Sequence, residues 1–109
     1  RPALYGSYHQ AVKVIDKTDG INASWDLVGP VCETADFLAK DRNLNLKEGD
    51  YIAIMTAGAY GFVLSSNYNS RPRTAEVMVS ENSHAIVRKR ETIESLFVNE
   101  TIFKDETNQ

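Results

Sequence analysis

Two short stretches carry the side chains with chemistry to offer. Gly29-Pro30-Val31-Cys32-Glu33 holds the only cysteine of the chain, set beside a carboxylate, and Thr56-Ala57-Gly58-Ala59-Tyr60-Gly61 frames a phenol between small residues. A thiol next to a carboxylate can donate a proton beside a fixed negative charge, and a tyrosine among glycines can offer its hydroxyl where backbone and ligand approach closely. Together they are parts suited to handling an amino acid. Each also has a plainer reading: a lone cysteine is ordinarily a small core hydrophobe, and a tyrosine an aromatic core residue with its hydroxyl satisfied. Two further stretches complete an ordered series, Arg1-Pro2-Ala3-Leu4-Tyr5 before and Ser66-Asn67-Tyr68-Asn69-Ser70-Arg71-Pro72-Arg73 after.

The elements that must position these groups follow from periodicity. Tyr8 to Ile15 is rich in β-branched residues and alternates toward its end, which predicts a half-buried strand broken by Asp16-Lys17-Thr18-Asp19-Gly20. Trp25 to Gly29 predicts a second strand. Proline has no N–H for a ladder, so the chain must leave the sheet near Pro30 and carry Cys32 and Glu33 on a loop at a strand end. Thr34 to Arg42 has the start signals of a short helix, with Thr34 as cap and Asp36 in the first turn. Tyr51 to Met55 is an apolar run of strand length, entered from the Lys47-Glu48-Gly49-Asp50 turn. Ala57 to Ser65 suits a short helix or tight turn. Ala75 to Val79 and Ala85 to Lys89 predict a hairpin around Glu81-Asn82-Ser83; Glu91 to Phe97 reads as helical, and residues 99–109 as a polar tail that frays. Trp25, Phe37, Ile52 and Phe62 are the simplest core candidates.

Five or so short strands with small helical insertions predict a mainly β domain, a closed or nearly closed β-barrel or sandwich. With 109 residues, 42% of them hydrophobic and 25% charged, the chain fits one ordinary globular domain and no more. A net charge of −3 gives no electrostatic reason to bind nucleic acid, and the basic run Arg88-Lys89-Arg90 is followed at once by Glu91. No apolar run approaches the roughly 20 residues of a membrane span. One cysteine forms no intrachain disulfide, which agrees with a cytoplasmic setting, and His9 and His84 have no partner at metal-site spacing, so no metal is expected. The chain opens on Arg1 rather than Met, as a piece of a longer protein would.

Taken in order, these motifs resemble the C-terminal portion of diaminopimelate decarboxylases, from Arg1 to about Glu94. The resemblance implies a two-domain enzyme using pyridoxal 5'-phosphate, with residues 1–109 as its β domain, similar to that of alanine racemase-like enzymes. It places the Schiff-base lysine and the phosphate loop in a preceding barrel, so that this chain alone would be inactive. Cys-Glu is the form taken by the diaminopimelate enzymes, where an aspartate typically follows the cysteine in the ornithine enzymes.

The substrate so implied carries a second ammonium and a second carboxylate far from the reacting carbon, which requires one fixed anion and one fixed cation. Glu33 suits the distal ammonium. Arg1, with its bidentate guanidinium, suits the distal carboxylate, and Tyr5 resembles the family tyrosine that hydrogen-bonds the same group. Decarboxylation leaves an electron pair on carbon that the cofactor delocalises, and the protein must then return a proton. Cys32 can do so, because a thiol is mostly protonated at neutral pH and still able to transfer. Tyr60 is implied at the cofactor phosphate and the substrate, and Tyr68 and Asn69 in shaping the site. Thr34-Ala35, Thr56 and Thr74 depart from the family pattern where Ser-Gly, Asp and Pro are common.

The resemblance further implies a homodimer with active sites at its interface, Cys32 and Glu33 reaching to the opposite subunit. Two other readings stay open. A decarboxylase of another basic amino acid or of a carboxylated polyamine would leave Arg1 without a distal carboxylate to bind, and a non-catalytic β interaction module would have kept the fold and lost the barrel.

Overall fold

The computed structural model describes residues 2–105. Their contacts divide after Leu64 into two units, each with its own antiparallel pairings.

In the first unit a single helical turn, α1 (Pro2–Tyr5), ends at Gly6, whose φ of +62° and N–H bond to the Pro2 carbonyl at 2.9 Å close the turn in the left-handed region that glycine occupies without steric cost. β1 (Ala11–Lys13) pairs antiparallel with β4 (Ile52–Ile54), in the register Ala11 to Ile54 and Lys13 to Ile52. The ladder continues beyond both strand ends through Val14 N–H to the Tyr51 carbonyl and Met55 N–H to the Gln10 carbonyl. Lys13 holds Asp50 in an ion pair of 2.9 Å across the turn into β4.

The longer ribbon pairs β2 (Ile21–Val28) with β3 (Phe37–Leu46). Its register slips by one residue on β3 between the Trp25–Arg42 and Leu27–Ala39 pairs, and again before Val28 meets Phe37. These are β-bulges. Asp41 takes φ +54° at the first of them, and the Asp26 carboxylate accepts its N–H at 2.9 Å, so a polar side chain replaces the ladder partner that the bulge removes. Phe37 and Ala39 therefore face inward before the bulge, and Arg42, Leu44 and Leu46 after it. The guanidinium of Arg42 stacks on the Tyr8 ring at 3.9 Å from its centre.

In the second unit, β5 (Glu76–Ser80) and β6 (Ser83–Arg88) form a hairpin turned by Glu81 and Asn82, with an extra residue on β6 between the Glu76–Arg88 and Val77–Ile86 pairs. 3-10 turns at Tyr68–Ser70 and Glu94–Leu96 flank it.

Three expectations are corrected. The sheets do not close into a barrel or near-barrel: six strands form three two-stranded ribbons, and among the described residues each strand is paired on one edge only. Closure needs two hydrogen-bonded neighbours for every strand, and three-residue strands such as β1 and β4 offer too few ladder groups to recruit a second. The interior is correspondingly small. Among the described residues the buried apolar side chains are Ala11, Ala39 and Leu46, whereas Trp25, Phe37, Ile52 and Phe62 are half-buried. The helix expected over Thr34 to Arg42 is a loop followed by β3. Its apolar positions follow the two-residue period of a strand, and pairing with β2 overrides the local start signal at Thr34. Finally, Glu91 to Phe97 holds no α-helix, only the turn Glu94–Leu96.

Candidate active site

The loop that carries Cys32 and Glu33 is built by its two ends. β2 stops at Val28 because Pro30, two residues on, has no N–H to give. The last bond of the ribbon is Gly29 N–H to the Asp36 carbonyl, at 2.9 Å. Within the loop Glu33 N–H reaches the Val31 carbonyl at 2.8 Å, and Asp36 N–H reaches the Glu33 carbonyl at 3.1 Å. The Asp36 carboxylate turns back to accept the N–H of Val31 at 2.7 Å. Its oxygens lie so close to Gly29 that a Cβ placed there would stand 2.2 Å from both of them. Only a residue without a side chain fits.

Cys32 and Glu33 stand at the top of this loop, both exposed. The plain reading of Cys32 as a core hydrophobe fails, since its thiol faces solvent. Neither side chain makes a hydrogen bond or ion pair with another described residue, so the loop presents a thiol and a carboxyl group outward from a fastened base.

Tyr60 lies on α2 (Gly58–Gly61), one turn directly after β4. The connection is sharp: Thr56 takes φ +59°, an unusual conformation for a β-branched residue, and Gly61 N–H closes the turn on the Ala57 carbonyl at 2.6 Å. Tyr60 is 70% exposed, which excludes the core reading, and its hydroxyl has no partner among the described residues. Tyr5, on α1, is 69% exposed. Arg1, the residue expected to hold a distal carboxylate, lies outside the described residues. The first unit thus carries Cys32, Glu33, Tyr60 and Tyr5, and each sits on a turn or loop at the end of an element.

In the second unit, Tyr68 and Asn69 belong to a segment fixed by a residue that the sequence reading passed over. Glu91 accepts the Arg73 N–H at 2.8 Å, the Arg73 Nε–H at 2.7 Å and the Asn67 Nδ2–H at 2.7 Å, and pairs with the Arg73 guanidinium at 2.6 Å. These bonds, the one from the Arg73 guanidinium first, hold its carboxyl down to about 2. The clamp ties together a stretch in which Asn69 and Ser70 both take positive φ, +58° and +55°. The other is Asp36, which the sequence marked only as an acid in the first turn of a helix and which stands in the loop before β3. Among the described residues no three His, Cys, Asp or Glu side chains gather to hold a metal ion.

Residues 1–58 match the family described as pyridoxal-dependent decarboxylase, C-terminal sheet domain. The chain belongs to that family. Among its relatives, the diaminopimelate decarboxylase of Vibrio cholerae is 50% identical over 105 residues, covering 96% of this chain and 25% of the relative. That of Pseudomonas aeruginosa is 52% identical over 102 residues, covering 94% and 24%. The crystal structure of diaminopimelate decarboxylase from Helicobacter pylori complexed with L-lysine superposes with a TM-score of 0.79 at 41% identity, over 91% of this chain and 24% of that one. The chain spans about a quarter of the length of the curated relatives it matches.

Proposed function

We propose that this chain is the C-terminal β domain of a diaminopimelate decarboxylase, which converts meso-2,6-diaminopimelate to L-lysine and carbon dioxide. The observation that carries the proposal is the outward Cys32–Glu33 pair on its fastened loop, in a chain about half identical to diaminopimelate decarboxylases along nearly its whole length. Pyridoxal 5'-phosphate, when bound, supplies the electron sink that makes loss of the carboxylate feasible. The side chains here fit such a partner: the Tyr60 hydroxyl is an exposed donor suited to a phosphate oxygen, on a turn where Gly58 leaves open space for close approach.

The work left to this domain is recognition and proton return. Glu33 pairs with the distal ammonium of the substrate, and Arg1 and Tyr5 take the distal carboxylate. Cys32 delivers a proton from Sγ to the carbon that has lost carbon dioxide. In the proposed assembly, a homodimer of cytoplasmic subunits, the barrel and its cofactor lysine lie in the remainder of the protein, and the Cys32 loop serves the opposite subunit. No helix among the described residues is long and apolar enough to cross a membrane.

In the full-length enzyme, Cys32→Ala is expected to lower kcat by about 100-fold or more, the contribution of a positioned acid. Affinity for pyridoxal phosphate, read from an absorbance titration, should move by less than about threefold, because the thiol acts on the reacting carbon and does not hold the ring. A near-normal kcat removes Cys32 from the mechanism.

A further inference from the structure

The loop bearing Cys32 and Glu33 has no helix or strand of its own to hold it, and besides its backbone bonds it is fastened by one side chain, that of Asp36. The Asp36 carboxylate is half-buried beneath the loop and accepts the Val31 N–H at 2.7 Å, one residue before the thiol. The backbone of the same residue receives Gly29 N–H at 2.9 Å and donates to the Glu33 carbonyl at 3.1 Å, so Asp36 touches the loop at its entry, before Cys32 and after it. No Lys or Arg pairs with this carboxylate among the described residues, which leaves N–H groups of the loop to answer its charge. The closeness of its oxygens to Gly29, 2.2 Å from the position of a Cβ, shows that the space has been kept free for it.

We infer that Asp36 is the positioning residue of the active site, a carboxylate brace that fixes the direction in which Cys32 and Glu33 leave the domain, with Gly29 as the gap that admits it. The inference rests on the proposed roles of Cys32 and Glu33. Asp36 itself touches neither substrate nor cofactor. Its effect is geometric: the N–H it holds belongs to Val31, so releasing that bond frees the peptide leading into Cys32. A misplacement on the order of 1 Å at a reacting group can cost about 100-fold in rate.

The test compares Asp36→Ala, which removes the acceptor, with Asp36→Asn, which keeps a side-chain oxygen of the same reach. Both are made in the full-length enzyme. The first readout is the alkylation rate of Cys32 by iodoacetamide, followed by peptide mass spectrometry so that other cysteines do not contribute. In Asp36→Ala this rate should change by about fivefold or more as the loop loosens, and in Asp36→Asn it should stay within about threefold of the parent. The second readout is kcat/KM for diaminopimelate, expected to fall about tenfold or more in Asp36→Ala and to be largely restored in Asp36→Asn.

An unchanged alkylation rate in folded Asp36→Ala overturns the inference whatever the activity does, because the loop then keeps its shape without the brace. An altered alkylation rate with unchanged kcat/KM overturns the positioning role. Should Asp36→Ala fail to fold, Gly29→Ala makes the same comparison from the other side, since its Cβ displaces the carboxylate from Val31. If instead Cys32→Ala and Glu33→Gln leave turnover and preference unchanged, the proposed function of the site has failed, and alkylation still decides whether Asp36 shapes the loop.

Discussion

At the scale of single residues, the roles proposed for Cys32 and Glu33 differ by what each side chain can carry. A thiol is suited to proton transfer and a carboxylate to pairing with a cation. Glu33→Gln in the full-length enzyme keeps the size of the side chain and removes the charge. It is expected to raise KM for diaminopimelate by about tenfold or more, the cost of exchanging a charge-assisted hydrogen bond for a neutral one. An analogue lacking the distal ammonium should be nearly unaffected, so the measured ratio of kcat/KM between the two falls. An unchanged ratio would argue that the ammonium is held elsewhere. Both side chains were legible from residue type and from the proline beside them. Asp36 was not, because nothing in its type separates a helix N-terminal acid from a brace folded back on a loop.

At the scale of elements, the connections between strands bear the strain. Thr56 joins β4 to α2 at φ +59°, in a region where a β-branched side chain is crowded and asparagine or aspartate sits more easily. Thr56→Asn should therefore stabilise the full-length protein by about 1 kcal/mol, read as an upward shift in the denaturant midpoint; a downward shift would mean that the Thr56 side chain makes a contact worth more than the strain. The Glu91 clamp makes a prediction in pH. Its carboxyl is lowered from 4.5 to about 2 by Arg73 and Asn67, so the folded form binds this proton more weakly than the unfolded chain does. The stabilisation is complete above about 4.5 and is lost as pH falls through that range toward 2. Glu91→Gln should accordingly be less stable than the parent at pH 7, with the difference in urea midpoint shrinking steadily as the pH is lowered toward 3. A difference that does not depend on pH would show that the clamp acts through shape and not through charge.

At the scale of the molecule, the proposed sharing of active sites between subunits has a direct test. Two inactive full-length variants are mixed, one lacking the cofactor lysine of the barrel and the other carrying Cys32→Ala. If the Cys32 loop serves the opposite subunit, heterodimers regain one intact site and activity returns to a fraction of normal. No return, with subunit exchange demonstrated by mass, would place Cys32 in its own subunit's site. The exposed apolar side chains of the first unit, among them Val14, Ile15, Ile21 and Val28, agree with a domain that buries more surface in an assembly than it does within itself.

The sequence by itself determined the strands other than β3, the exit of the chain from the sheet at Gly29-Pro30, the hairpin at Glu81-Asn82 and the kinds of side chain offered to a ligand, because each depends on neighbours within a few positions. Proline ends a ladder wherever it stands, and alternation shows in a five-residue window. The tertiary structure alone decided the rest. Phe37 to Leu46 became a strand because β2 lies beside it, against the helix signal at Thr34, and the bulge at Asp41 re-aimed its second half. That the ribbons stay separate instead of closing, and that Asp36 reaches back across Gly29 to hold Val31, follow from which edges meet in space. A strand edge or a carboxylate looks the same in sequence whatever it will touch, so even a partner as near as Val31, five residues from Asp36, leaves no local trace.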